Sequence, residues 1–259
     1  MPDKNNFEVV PLRAFEDNYI WTLRNDRYAA VVDPGDEQPV LDYLQRERLE
    51  LCAILATHHH PDHVGGIADL LAHRAVPVYG PRGEPIPTLT RAVGEGDEVE
   101  IPQLGLHFSV LDIPGHTRAH IAYYGANSLF CGDTLFACGC GRLFEGTAQQ
   151  MAASLAKLAA LPDETLVYSG HEYTLANIAF ARAVEPDNEE LKARAASDAQ
   201  KRKSDRPTLP STIGREKKTN PFLRCVEPAV IASANKYLGA RAGDPVQVFA
   251  AIRQWKNSF

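Results

Sequence analysis

Four side chains able to ligate a metal fall within six residues, in His58-x-His60-x-Asp62-His63, directly after the apolar run 51–56. Imidazole and carboxylate groups packed this densely resist burial unless a cation takes up their lone pairs. The mixture of nitrogen and oxygen donors suits zinc first, with iron or manganese as alternatives. In extended backbone, positions 58 and 60 share a face, whereas Asp62 and His63 point apart, so a turn must aim that pair at a second point. Three further fragments put a ligand-type residue beside glycine at the end of an apolar run: Pro114-Gly-His116-Thr117, Cys131-Gly-Asp133-Thr134 and Ser169-Gly-His171-Glu172. One Gly-His or Gly-Asp alone is usually a turn. Three such fragments together with the His58–His63 cluster point instead to ligands meeting at a sheet edge. His59, His73 and His107 read as structural, and His120 as a partner that orients a ligand imidazole. Cys138-x-Cys140 has no second pair and reads as a loop rather than a thiolate site. Asp33, in Val-Val-Asp-Pro-Gly, reads as a cap or a turn at a strand end. No Gly-x-Ser-x-Gly elbow occurs, so a serine hydrolase is not supported.

The elements that must position these residues are mixed. Runs at 7–10, 18–23, 28–32, 51–56, 76–79, 98–101, 106–113, 121–124, 128–131 and 166–169 predict strands. Helical patterns cover 40–49, 65–75, 148–161, 173–184, 187–205, 229–237 and 245–255. Segment 206–222, rich in Pro, Thr and charge, reads as a linker. Hairpins and crossover helices alternate, so a plain doubly wound sheet is not favoured. The 259 residues carry a net charge of −6, and 44 % are apolar, which is ordinary for a globular chain. Residues 1–172 hold 12 Lys+Arg and 24 Asp+Glu, a balance of −12; residues 173–259 hold 15 and 9, a balance of +6. The charge reverses where the α/β pattern gives way to helices, which predicts one domain over 1–172 and another over 173–259. No apolar run of roughly 18 residues exists, so no membrane partner is expected. The polar start lacks the apolar core of a signal peptide, and five cysteines are too few for a disulfide scaffold, so a reduced cytoplasmic protein is expected. The acidic body argues against nucleic acid. A monomer is expected.

The ligand set His58, His60, Asp62, His63, His116, Asp133 and His171 resembles that of the metallo-β-lactamase superfamily. More narrowly, Cys131-Gly-Asp-Thr-Leu-Phe136, Gly139-Cys-Gly-Arg-Leu-Phe-Glu-Gly-Thr147, Gly170-His-Glu-Tyr-Thr174, Asn220-Pro-Phe-Leu-Arg224 and Phe249-Ala-Ala-Ile-Arg-Gln-Trp-Lys256 resemble the glyoxalase II family, the hydroxyacylglutathione hydrolases. The resemblance implies an αββα sandwich with a C-terminal helical domain that binds substrate. It implies two divalent metals: His58, His60 and His116 on the first, Asp62, His63 and His171 on the second, Asp133 bridging. It implies hydrolysis of S-D-lactoylglutathione to D-lactate and glutathione, the second step of methylglyoxal detoxification. A metal-bridging hydroxide attacks the thioester carbonyl, with Asp62 and Asp133 in catalytic positions. Substrate recognition maps onto Arg142, Phe144, Tyr173, Arg253 and Lys256. Some family members carry Lys and Tyr where this chain has Arg142 and Phe144; the first change keeps a charge, and the second loses a hydroxyl. The alternatives are another enzyme of the same fold, such as a persulfide dioxygenase or a nuclease, and a metal-free binding protein.

Overall fold

The β-branched and aromatic residues of the first third build a mixed sheet. In this computed structural model, which describes residues 7–259, strands β1 (Glu8–Ala14), β2 (Asn18–Arg24) and β3 (Tyr28–Val32) form an antiparallel meander. The polar start at 1–6 lies outside the described residues. Three strands then add in parallel: β4 (Glu50–Leu55), β5 (Val78–Pro81) and β6 (Arg91–Val93). Parallel neighbours need crossovers. Helix α1 (Gln38–Glu47) joins β3 to β4; the single turn α2 (Pro61–Val64) and helix α3 (Ile67–His73) join β4 to β5. Val40, Tyr43, Ile67 and Leu70 of these helices pack with Leu12, Ile20, Val31 and Ile54 of the sheet. Alternation along β3 sends Ala30 and Val32 to the other face, also buried.

The described chain divides into two compact units, residues up to 112 with 118–132, and 113–117 with 133–259. The first unit also contains the antiparallel strands β7 (Glu98–Ile101), β8 (Leu106–Asp112), β9 (Ile121–Gly125) and β10 (Ser128–Gly132). They are tied to the mixed sheet by Tyr123 Oη, which donates to the Ala56 carbonyl at 2.9 Å, and by the Ile121 amide, which donates to Thr57 at 3.0 Å.

The second unit is mainly helical. A small hairpin, β11 (Leu135–Phe136) and β12 (Gly139–Cys140), is followed by α4 (Ala148–Ala159), which starts in a reciprocal Thr147–Gln150 capping box. Strand β13 (Leu166–Ser169) pairs with β14 (Ser211–Thr212). Helices α5 (Thr174–Val184), α6 (Glu189–Lys203), α7 (Ile213–Thr219), α8 (Pro228–Leu238) and α9 (Pro245–Asn257) complete it. No helix among the described residues is long and apolar enough to cross a membrane.

Segment 206–222 is not a plain linker. It holds β14, α7 and a 3-10 turn at Pro221–Leu223. Thr212 caps α7 by accepting from the Arg215 amide at 3.1 Å. The charge that reads as solvated is partly internal. Glu216 is fully buried and pairs with Arg194 Nη1 at 2.7 Å, while Arg194 Nε lies 3.3 Å from buried Asp198. Burial opposes the Arg194 charge, but Glu216 leads the groups that outweigh it, and the guanidinium pKa lies above its ordinary value.

Candidate active site

In the first unit, the ligand-type residues sit at the C-terminal end of β4, where open α/β sheets place their sites. Asp33 organises them. Its backbone is in the left-handed region (φ 54°), and its carboxylate accepts the Thr57 amide and the Thr57 hydroxyl, each at 2.7 Å, and His63 Nδ1 at 3.1 Å. Since Thr57 gives its proton to Asp33, its oxygen accepts from His58 Nδ1, 3.1 Å away. Both rings therefore carry hydrogen on Nδ1 and present the Nε2 lone pair, the state a metal ligand needs. His58 Nε2 lies 3.1 Å from His60 Nδ1, and the His58 ring stacks on His120 at 4.5 Å. Asp33, His58 and His63 bring ligand atoms within 4.8 Å of one another.

Asp62 and His63 are not extended. Pro61 starts the α2 turn, and Asp62 Oδ2 comes within 3.5 Å of His63 Nε2 while accepting Asn18 Nδ2 at 3.0 Å. Gly35 permits this approach: a Cβ there would lie 1.9 Å from the Asp62 carbonyl oxygen. His59 points elsewhere, and its Nδ1 pairs with buried Glu84 at 2.6 Å. His73 and His107 are exposed and belong to no such cluster.

In the second unit, one carboxylate oxygen lies between two imidazoles. Asp133 Oδ2 is 3.4 Å from His116 Nε2 and 3.3 Å from His171 Nε2. His116 Nδ1 donates to the Arg142 carbonyl at 2.9 Å, so here too Nε2 holds the lone pair. Gly115, at φ 153°, lets the His116 loop lie on α4, where a Cβ would meet Met151 at 2.8 Å. The donor set of each unit, imidazole Nε2 and carboxylate oxygen, fits a divalent ion such as zinc.

His116 and Asp133 line a cavity of about 570 Å³ with Arg142, Phe144, Tyr173, Arg253 and Lys256. Tyr173 stacks on His171 at 4.6 Å, and the Phe144 edge meets His116 at 5.3 Å. Arg253 is buried: Nη1 donates to the Cys140 carbonyl at 2.7 Å, Nη2 to Asn257 Oδ1 at 3.1 Å. Lys256 Nζ lies over the rings of Phe180 and Phe259 and reaches the Ala176 carbonyl at 3.3 Å. Burial, and then the Arg253 and Arg142 charges, hold the Lys256 pKa below its ordinary value. Three cations thus share one cavity, and Asp133 is the one acidic side chain among its lining residues. Such a surface favours an anionic ligand.

In sequence Asp33 reads as a cap or turn, and no local pattern marks Glu84, which accepts from the amides of His59 and Ala119 at 2.6 and 3.2 Å. An aspartate just after a buried strand, on the same chain as a ligand cluster after the next strand, is the signal that could have found the first. Cys138 and Cys140 form no thiolate site, and burial pushes the Cys138 thiol up to about 12. All five cysteines are buried.

Two family models match the chain, one for the metallo-beta-lactamase superfamily over residues 15–171 and one for the hydroxyacylglutathione hydrolase C-terminus over 172–259. A hydroxyacylglutathione hydrolase of Nitrosomonas eutropha is 59 % identical over 252 residues, covering 97 % of this chain and 99 % of the relative. One from Vibrio parahaemolyticus is 54 % identical, with the same two coverages. Among solved structures, ETHE1 from Myxococcus xanthus aligns with a TM-score of 0.64 at 26 % identity, covering 97 % of this chain and 98 % of that one. TTHA1623 in a di-iron-bound form aligns with a TM-score of 0.58 at 28 % identity, covering 83 % and 100 %.

Proposed function

The chain belongs to the hydroxyacylglutathione hydrolases of the metallo-β-lactamase superfamily, and from that premise we propose that it hydrolyses S-D-lactoylglutathione to D-lactate and glutathione. Its fold is the αββα metallo-β-lactamase sandwich followed by a helical region. The single observation that carries the substrate assignment is the cavity in which Arg142, Arg253 and Lys256 stand beside His116 and Asp133. The glutathione moiety carries two carboxylates, and cations that repel one another gain most when such a ligand arrives. Tyr173 and Phe144 supply apolar walls for the tripeptide backbone. The reading divides the work at residue 172, with catalysis in 1–172 and substrate binding in 173–259. It also takes the protein as a cytoplasmic monomer acting in the second step of methylglyoxal detoxification, without nucleic acid or membrane partners. The relatives' shared hydrolase name gives no support to the dioxygenase and nuclease alternatives.

On this reading His58, His60 and His116 would hold one divalent metal and Asp62, His63 and His171 a second, with Asp133 shared. Zinc, iron and manganese all suit these donors. Such a pair supplies Lewis acidity toward the thioester carbonyl and brings the pKa of water toward neutrality. The residues do the rest. Asp33, Thr57 and the Arg142 carbonyl keep three imidazoles in the Nε2 lone-pair form. The carboxylates of Asp62, steadied by Asn18, and of Asp133 would orient the attacking water. Arg253 and Lys256 anchor carboxylates, so that the carbonyl is presented in one orientation. The departing thiolate has a pKa of roughly 8.5 and leaves without a strong acid.

Thioester absorbance should fall when enzyme meets S-D-lactoylglutathione, a chelator should stop the fall, and added zinc should restore it. Activity that persists after exhaustive chelation would sink the metal assignment. Elemental analysis should find about two metals per chain; one metal, unchanged in His171→Ala, rules out a shared pair. Separately, Lys256→Ala and Arg253→Ala are expected to raise KM roughly tenfold while lowering kcat much less, because carboxylate anchoring acts on ground and transition states alike. Steady-state kinetics showing the reverse split would remove these residues from substrate binding.

A further inference from the structure

We infer that Glu216, together with Asn220, is a positioning residue for the substrate cavity. The inference rests on the thioesterase reading and adds two buried residues that touch neither metal ligand nor cavity. The starting point is the hairpin β11–β12. It carries Phe136 and Cys140, both on the cavity wall, yet its own pairing is only two residues per strand. Its tip holds Cys138 at φ 56°, a backbone state that a cysteine adopts only when the surroundings enforce it.

Those surroundings are side chains of the helical segment. Glu216 Oε2 accepts the Cys138 amide at 2.8 Å. Asn220 Nδ2 donates to the Phe136 carbonyl at 3.1 Å, to the Gly139 carbonyl at 2.9 Å and to Glu216 Oε2 at 3.1 Å. Asn177 Nδ2 donates to the Ala137 carbonyl at 3.1 Å. Four successive residues, 136–139, are therefore held by side chains from outside the hairpin. Glu216 is fixed in turn: Oε1 accepts from Ser211 Oγ and from Arg194 Nη1, the latter at 2.7 Å.

The hairpin passes this order onward. The Cys140 carbonyl receives Arg253 Nη1 at 2.7 Å, so the placement of one cavity cation depends on where the hairpin lies. A connected path runs from Glu216 through Cys138 and Cys140 to Arg253. Both carboxylate oxygens of Glu216 face donors only, which makes the charge itself the requirement. In Glu216→Gln an amide NH2 must face either the Cys138 and Asn220 donors or the Ser211 and Arg194 donors. In the first case the tip loses its acceptor; in the second an amide NH2 is set against the Arg194 cation, and the side chain that holds the tip is no longer fixed.

The test is steady-state kinetics on S-D-lactoylglutathione for wild type, Glu216→Gln and Asn220→Ala, with metal content and the dissociation constant for S-methylglutathione measured in parallel. A positioning role predicts KM and the dissociation constant raised about fivefold to tenfold, with kcat within about threefold and metal content unchanged. KM does not depend on the folded fraction, so a lower melting temperature with KM within twofold of wild type in both variants overturns the inference. Should Glu216→Gln not fold, Asn220→Ala, which removes no charge, decides by the same criterion. A wild-type enzyme inactive on the thioester overturns the functional reading first, and the inference with it.

Discussion

Alanine at Asp133 is expected to lower turnover at least a thousandfold, a loss of about 4 kcal/mol of transition-state stabilisation. Its Oδ2 is the one oxygen lying 3.4 Å from His116 Nε2 and 3.3 Å from His171 Nε2. It is the one acidic side chain on the cavity wall, so no neighbouring carboxylate there replaces it. Without it, two imidazoles face each other with nothing negative between them, and a pair of cations there loses its shared counter-charge. Metal content should fall together with rate. Asp133→Asn, which keeps the shape and one neutral oxygen, should lie between the two. Initial rates with elemental analysis decide it: an alanine variant with two metals and near wild-type turnover removes Asp133 from the bridging position.

The second large effect is on stability. Arg194→Ala should destabilise the fold by about 3–5 kcal/mol, because it strands the buried Glu216 carboxylate rather than because the pair itself contributes that much. Arg194 donates to Thr219 and Ser211 at 2.6 and 3.2 Å besides pairing with Glu216 and Asp198. Asp198 keeps Arg215 and Lys201 at 3.3 and 3.4 Å, but Glu216 has no other cation among the described residues. Urea unfolding gives the number through the midpoint shift. A change below about 1 kcal/mol would mean that the network is wetter or more adaptable than its burial indicates.

Legibility from sequence followed the range of the interaction. The ligand residues themselves were readable because chemistry is carried by side-chain type, and because His58 to His63 are close in sequence. Helices α1, α5 and α9 were readable because their apolar period and their stops are local. What was not readable depended on partners far along the chain. Asp33 looks like a turn residue until Thr57 and His63, 24 and 30 residues on, are seen to donate to it. Spacing alone sets Asp62 and His63 pointing apart in extended backbone, while Pro61 and the His60 carbonyl make a helical turn. Segment 206–222 has a linker's composition, and only the burial of Glu216 against Arg194 turns that charge into structure.

Cys140 gains another meaning beside a thioester. A thiolate that meets an acylated thiol exchanges with it, so a reactive cysteine on the cavity wall would capture the acyl group and release glutathione without hydrolysis. Cys140 lines the cavity, with Arg253 Nη1 3.7 Å from its sulfur. Burial nevertheless outweighs that cation and raises the thiol pKa, while Cys225 is pushed up to about 12. Keeping these sulfurs protonated makes the protein chemically deaf to the bond it is built to cleave, and the acyl group is left to water alone.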